Sequence, residues 1–493
     1  MRMVSLVAYL LYNTLMADRS SFAHKEANSA SVMSSIDFKI SSIYIAKEVI
    51  IRPKNNFFLI FEDVFNVFLT ITKQKVMSRL SYIFILVLVI ASCNKISIED
   101  ESIPVDSLIP RRDIVLTKSQ SAIIQKNNSF AIDLFKQISS DETDKSMVIS
   151  PLSISYALGM LVNGASGDTR AEIDSVLGYG EESLEELNSF YRTMIDSSSE
   201  IDPSTDYEIA NMLLVNNRYI PLKEEYASKM KTIFDANICY KDFLQEDIKG
   251  IINTWCSDKT KGKIPVMISD PIDPDQYLHI LNATYFKGIW SSRFKRGDSK
   301  KDLFSCENGS LVTVNMMHQK GVFNYWENSI CNALVLPYGN QAYNMFILLP
   351  NQGKTLKDLR VALCSEFWER MVQGKGGRDI DVRIPSFEAS FSADIANYLS
   401  NMGIKKAFSE RADLSLISDL SVYVSKALHK TKIAVNEEGS EAAAVTDLYI
   451  SNIGIGDYQP VTIDFHADHP FIYAITEVST GAILFIGQFT GKE

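Results

Sequence analysis

An α+β domain is the fold class the sequence predicts, and three observations predict it. After residue 129, apolar residues recur at helical spacing, segment after segment. From Leu278 onward they gather instead into short runs at hairpin-like spacing. The chain then closes on a hairpin, residues 470–478 and 482–489 around the turn Thr480-Gly481. Helices collected early and antiparallel strands collected late describe segregated layers, not the alternating strand–helix order of a parallel sheet.

The elements follow in order. Phe130, Leu134, Phe135 and Ile138 form the stripe of a first helix. Ser150-Pro151-Leu152-Ser153 opens a second, with serine at the cap and proline in the first turn, where its missing N–H is harmless. Tyr156, Met160 and Leu161 carry that helix to Asn163-Gly164. Asp168-Thr169 starts a short helix bearing Ile173, Val176 and Leu177. Residues 207–216 are apolar enough for a buried strand. Pro221 begins a helix striped with Leu222, Tyr226, Met230 and Ile233, and Ile248, Ile251, Ile252 and Trp255 mark another that stops near Gly262. Residues 278–286 are a long apolar run with the polar Asn282 and Thr284 inside it. Strands are expected at 312–317, 322–326, 333–336, 343–349 and 380–384, and helices at 356–371 and 393–402. A long apolar strand, 422–435, follows. With no internal repeat and no second linker, residues 126–493 read as one domain.

Composition excludes some function classes. The formal net charge of −11 gives nucleic-acid binding no electrostatic support, and no basic patch with interleaved aromatics occurs. Cys93, Cys239, Cys256, Cys306, Cys331 and Cys364 show no paired spacing, which argues against a zinc site or a disulfide framework. The first boundary lies within the chain. Met77-Ser78-Arg79-Leu80 precedes an apolar run over 82–90 and then Ala91-Ser92-Cys93. A basic start, a short apolar core and small residues before the cut describe a secretory signal over 77–92, and the run is too short to span a bilayer comfortably. Ile90-Ala91-Ser92-Cys93 also resembles a bacterial lipobox, in which Cys93 carries lipid and becomes the mature N-terminus. Residues 1–76 are then expected to be an extension from a misplaced start, and polar, proline-punctuated residues 94–125 a tether. The resulting picture is an exported protein, lipid-anchored in a bacterial envelope at the outer membrane or cell surface.

No enzyme chemistry assembles. H-E-x-x-H and G-x-S-x-G are absent, and Gly353-Lys354-Thr355 mimics the end of a P-loop with Leu348 where the first glycine must stand. His466 and His469 lie close in sequence without an obvious acidic or thiol partner, so no metal is expected there, and no cofactor elsewhere. His429, alone in an apolar strand, reads as a core histidine.

The segment after residue 435 is different. Two carboxylates, Glu437 and Glu438, are followed by Gly439 and then Ser440, Glu441, Ala442, Ala443, Ala444, Val445 and Thr446. Successive strand residues face opposite sides, so Ser440, Ala442, Ala444 and Thr446 form one small-residue face while Glu441 falls on the other. A glycine-bearing stretch, 451–460, follows with little to anchor it. The segment is a strand without an evident sheet, joined to an exposed tether.

This stretch resembles the hinge of the serpins. Supporting motifs stand in the family's order over 126–493: Val148 to Ser153; Ile252-Asn253 with Trp255 and Thr260 to Ile264; Asn282 to Gly288 with Trp290; Pro385-Ser386-Phe387; Asn401 to Ile404; Ala412 to Ser415; His429-Lys430; Asp468 to Phe471; and Gly481 to Gly487. The resemblance implies three β-sheets, a helical N-terminal half and an exposed reactive-centre loop. It implies a monomeric suicide inhibitor. A serine or papain-like cysteine protease attacks the loop, forms an acyl-enzyme, and is dragged as the cut loop inserts into the central sheet. A non-inhibitory binding or scaffold protein is the alternative. By the same resemblance, Ser150, Ser153, Asn282 and His429 form a polar cluster beneath the opening sheet, and Trp290 sits at its top. Ser386 stands where the family often has Lys or Arg, which leaves Glu437 without that partner. The bait bond falls at Ile453–Gly454, suiting an elastase-like or broad apolar pocket, with Tyr449, Asn452 and Tyr458 as rival attack points.

Overall fold

The computed structural model describes residues 110–180, 182–198, 201–439 and 461–492. Cys93, the signal, hinge residues Ser440 to Thr446 and the Ile453–Gly454 bond lie outside them. All described residues belong to the compact unit Asp100–Glu493.

Helix α1, Lys118–Asp141, begins within the stretch read as a tether. A capping box starts it: Thr117 Oγ1 accepts the Gln120 N–H, and Gln120 Oε1 accepts the Thr117 N–H. Ile123 and Ile124 are already buried. After β1, Met147–Ile149, comes α2, Pro151–Val162, every residue of which is buried. Ser150 takes the cap position of α2, but its side chain makes no cap bond; the hydroxyl is engaged elsewhere. Next come α3, Gly167–Leu177, α4, Leu184–Ser198, β2, Asp206–Asn216, α5, Glu224–Phe234, β3, Asn237–Lys241, and α6, Ile248–Lys259.

The strand-rich part comprises β4, Leu278–Lys287, β5, Lys300–Ser305, β6, Leu311–Glu327, β7, Cys331–Tyr338, and β8, Tyr343–Pro350. The two strands expected at 312–317 and 322–326 are one, because Gly321 between them pairs with Ile380 without a break. The helix expected over 356–371 is two, α7, Leu356–Ala362, and α8, Ser365–Gly374. Leu363 between them is extended, at ψ 119°. Thr355, in the P-loop mimic, is the N-cap of α7 with a capping box to Asp358. Then follow β9, Gly376–Pro385, β10, Phe387–Asp394, α9, Ala396–Met402, β11, Val424–Val435, β12, Ile463–His466, β13, Phe471–Glu477, and β14, Ile483–Phe489.

Hydrogen bonding joins these strands into two sheets. The smaller has the order β10-β11-β4-β2-β3. In the larger, β1-β14-β13-β8-β7-β6-β9-β12 with β5 on β6, the long β6 makes continuous what the resemblance divided into two sheets. The main apolar core lies under the helices and between the sheets. A second, smaller core seals α6 onto the outer face of the five-stranded sheet through Ile252, Trp255, Leu281, Ala283 and Leu428. Alternation along β4 and β11 therefore sends Leu281 and Ala283 outward and Asn282, Thr284 and His429 inward.

Candidate functional site

The centre of the five-stranded sheet holds a parallel pair. β11 and β4 run side by side from Val424 opposite Leu278 to Lys432 opposite Tyr285, while β10 and β2 flank them antiparallel. The pairing ends at Lys432, three residues before β11 does. Above it the chain reverses. Asn436 and Gly439 exchange both backbone bonds, N–H to O at 2.8 and 3.1 Å, so Glu437 and Glu438 form the tip of a tight turn. The turn thus reverses the backbone direction at the end of β11.

Gly439 is required here twice over. Its φ is +126°, where L residues are strained. A Cβ would also meet Gly288 O at 2.2 Å and Ile289 Cα at 2.6 Å. That contact is the seat of the turn. Trp290 donates its backbone N–H to Glu438 O at 3.0 Å and its indole N–H to Asn436 O at 2.9 Å, and Phe294 N–H donates to Glu437 O at 3.0 Å. The indole stacks on Tyr338, with centroids 4.2 Å apart and planes at 16°.

Glu437 is not left without a partner. The Asn315 amide on β6 donates to its Oε1 at 2.8 Å, with the Ser386 hydroxyl also within 3.4 Å of that amide. Partial burial pushes the Glu437 carboxyl up, but its own backbone N–H, the Asn315 amide and the nearby Arg296 charge outweigh that and hold it below the usual range. Glu438 is bonded by the Arg296 guanidinium.

Lower down, the predicted polar cluster assembles. His429 and Asn282 are opposite one another in the β11–β4 register, and His429 Nδ1 lies 2.9 Å from Asn282 Oδ1. His429 Nε2 accepts the Ser150 N–H at 3.2 Å. These partners assign the proton to Nδ1. Burial lowers the His429 pKa to about 3, so the ring is neutral. Asn282 Nδ2 donates to Ser153 O at 3.2 Å and Asn211 Oδ1 at 2.9 Å, while the Ser153 and Thr284 hydroxyls share a 2.6 Å bond. The Ser150 hydroxyl donates to Leu484 O at 2.8 Å, and Thr431 donates to Val148 O. Thus α2 is stitched across the β4–β11 seam and to β14 by neutral hydrogen bonds.

Ser150, Ser153, Asn282 and His429 come together, whereas Trp290 belongs to the hinge seat above them. Sequence reasoning missed Asn315, Arg296, Asn211 and Thr431. Asn315 and Glu437 are 122 positions apart, and only the pairing of β6 with β9 brings that amide to the hinge. His469 bonds Asp468 and the Pro350 carbonyl. No described helix is long and apolar enough to cross a membrane.

Comparison with known proteins fits this geometry. The family described as Serpin (serine protease inhibitor) matches residues 125–491. The leukocyte elastase inhibitor of Equus caballus is 33% identical over 380 residues, covering 74% of this chain and 98% of its own length. The intracellular coagulation inhibitor 2 of Tachypleus tridentatus is 35% identical over 370 residues, covering 73% and 89%. Among solved structures, the native state of the thermophilic serpin tengpin superposes with a TM-score of 0.69 at 26% identity, over 78% of this chain and 97% of that one.

Proposed function

The chain belongs to the serpin family, and on that premise we propose that it is a suicide-substrate inhibitor of serine or papain-like cysteine endopeptidases. One observation carries the reading: two parallel neighbours, β4 and β11, with a chain reversing off the end of β11. A strand leaving Gly439 in that direction would run antiparallel to both. Entry would exchange one parallel ladder for two antiparallel ones, the slightly more stable pairing. At about 1 kcal/mol per net hydrogen bond, an added ladder of this length contributes on the order of several kcal/mol.

The protease nucleophile attacks a loop carbonyl, an acyl-enzyme forms, and the new amine end departs with β12. The acylated end stays joined to the hinge and enters the sheet with the enzyme attached. Small residues at Ser440, Ala442 and Ala444 let that end slip between β4 and β11 with little bulk on one face. A charge or proline there would oppose entry by desolvation or by loss of a ladder donor. We place the attacked bond at Ile453–Gly454, with an elastase-like or broad apolar protease as partner. We also propose export on the 77–92 signal and lipid attachment at Cys93 in a bacterial envelope.

Incubation with elastase-type and papain-type proteases should give a complex that survives denaturing electrophoresis. Its absence across a protease panel removes the inhibitory reading in favour of a non-inhibitory binding protein. Ser440→Arg should convert trapping into plain cleavage; undiminished trapping by that variant contradicts the insertion argument. Mass spectrometry of the cut protein identifies the bond, and labelled lipid precursor failing to enter at Cys93 removes the anchor.

A further inference from the structure

The far end of the loop returns to the body as β12, four residues at an edge of the large sheet, paired to β9. Across β9 lies β6. Register aligns two rungs: Lys320, Asp381 and Asp464 on one, and His318, Arg383 and His466 on the next. Rungs two residues apart share a face, so one surface spanning three strands carries two carboxylates, two imidazoles and two cationic side chains.

Asp381 is the hub. Its side chain is only 7% exposed. Oδ1 lies 2.9 Å from His318 Nε2 and 3.8 Å from His466 Nε2, and Oδ2 lies 2.6 Å from Lys320 Nζ. The His466 Nε2 atom is shielded from water and makes no hydrogen bond. One ligating atom from each of Asp381, Asp464 and His466 falls within 4.8 Å of the others.

We propose that Asp381, Asp464 and His466, with the fourth position left to water, form a binding site for a divalent cation of the zinc class. Bonds of about 2.0–2.1 Å in a tetrahedral site set ligand atoms about 3.3 Å apart. The 3.8 Å from His466 Nε2 to Asp381 Oδ1 is close to that value. Lys320 can stay on Oδ2 while Oδ1 turns to the metal, the usual position of an outer partner that orients a ligating carboxylate. Arg383, whose Nε is 3.8 Å from Oδ1, is 43% exposed and free to swing into water. The imidazole nitrogen of His466 favours zinc over magnesium or calcium, which prefer all-oxygen shells.

The consequence concerns the loop. If its uncut form is to enter the sheet, β12 must first leave β9, because the loop is tethered at both ends. An ion bridging β12 to β9 and β6 would hold that strand in place and slow self-insertion. This consequence rests on the insertion reading; the metal site does not.

The test uses the full chain stripped of metal. Calorimetric titration with zinc alone should show one ion per chain, with affinity at least tenfold weaker in His466→Ala and Asp464→Asn, both side chains being partly or well exposed. Magnesium should give no heat. Absence of zinc uptake, or variants that bind zinc as tightly as the parent chain, overturns the site. Bound zinc should also lengthen the time over which warmed, uncut protein keeps its trapping activity; an unchanged time overturns the pinning role alone. If no protease is trapped, the inhibitor reading fails while the titration still decides the site.

Discussion

The upper and middle parts of the β4–β11 seam are held by opposite kinds of interaction. In the middle, His429, Asn282, Ser153 and Thr284 are fully buried and neutral, and each bond satisfies a group that water cannot reach. At the top, a backbone turn rests on Gly288 to Trp290, and its charged tip leans on Asn315 and on Arg296, itself 73% exposed. Breaking the middle leaves unsatisfied buried atoms, whereas releasing the top returns charges to water. Opening therefore costs least at the hinge, the end at which the proposed insertion would start.

Predictions rank accordingly. Gly439→Ala should have the largest effect, about 3 kcal/mol or more, because the methyl group meets backbone atoms that cannot move aside and φ is unfavourable. An unchanged thermal midpoint would mean the turn is not seated as described. Asn282→Ala should cost about 2–3 kcal/mol by stranding Ser153 O, Asn211 Oδ1 and the His429 Nδ1 proton, read by denaturant unfolding. Loss below 0.5 kcal/mol would show that the seam does not depend on this network.

Acid should attack the middle first, and the top only below the usual carboxylate range, where Glu437 with its lowered pKa takes up a proton. The folded pKa of His429, about 3, is depressed from 6.5, so the unfolded chain takes up the proton more readily. Its contribution is present above pH 6.5 and is lost as pH falls toward 3, about 2 kcal/mol by pH 5. His429→Asn should flatten the stability profile between pH 6.5 and 4, leaving the slope due to His279, likewise lowered to about 3 by burial. A profile as steep as that of the parent protein would assign acid sensitivity elsewhere. Asn315→Ala should cost about 1 kcal/mol and Arg296→Ala less, since a mostly exposed pair contributes little. Faster proteolysis at residues 436–439, with no more than that small loss of global stability, is the expected readout for both.

Much of this was legible in the residues because the chemistry is local. Gly439 after two glutamates, followed by small residues on alternate positions, marks the segment as unusual without a fold, whereas His429 by itself reads as a core histidine and joins the polar cluster only through the family resemblance. The antiparallel ending was legible for the same reason, its apolar runs being bounded by turn residues. The parts that were not legible depend on register. Asn315 is an ordinary strand residue until β6 pairs with β9, and His466 lacked an acidic partner until β12 paired beside Asp381. Exposed alternation hid β5 and β10, whose apolar positions are too few to stand out. The α4 stripe of Leu187, Phe190, Tyr191 and Met194 was present and overlooked. Ser150 shows the limit from the other side: its position at the head of α2 was predictable, but tertiary contact with Leu484 claimed its hydroxyl.

The indole of Trp290 gives the hinge an optical signature. The protein has four tryptophans, and Trp255, Trp326 and Trp368 sit in α6, at the end of β6 and in α8. Only the Trp290 ring is bonded to Asn436 while stacked on a tyrosine. Departure of residues 436–438 would strip that ring of its acceptor and alter its emission. A stopped-flow fluorescence trace, with Trp290→Phe as its blank, would time the first movement of the hinge without a label.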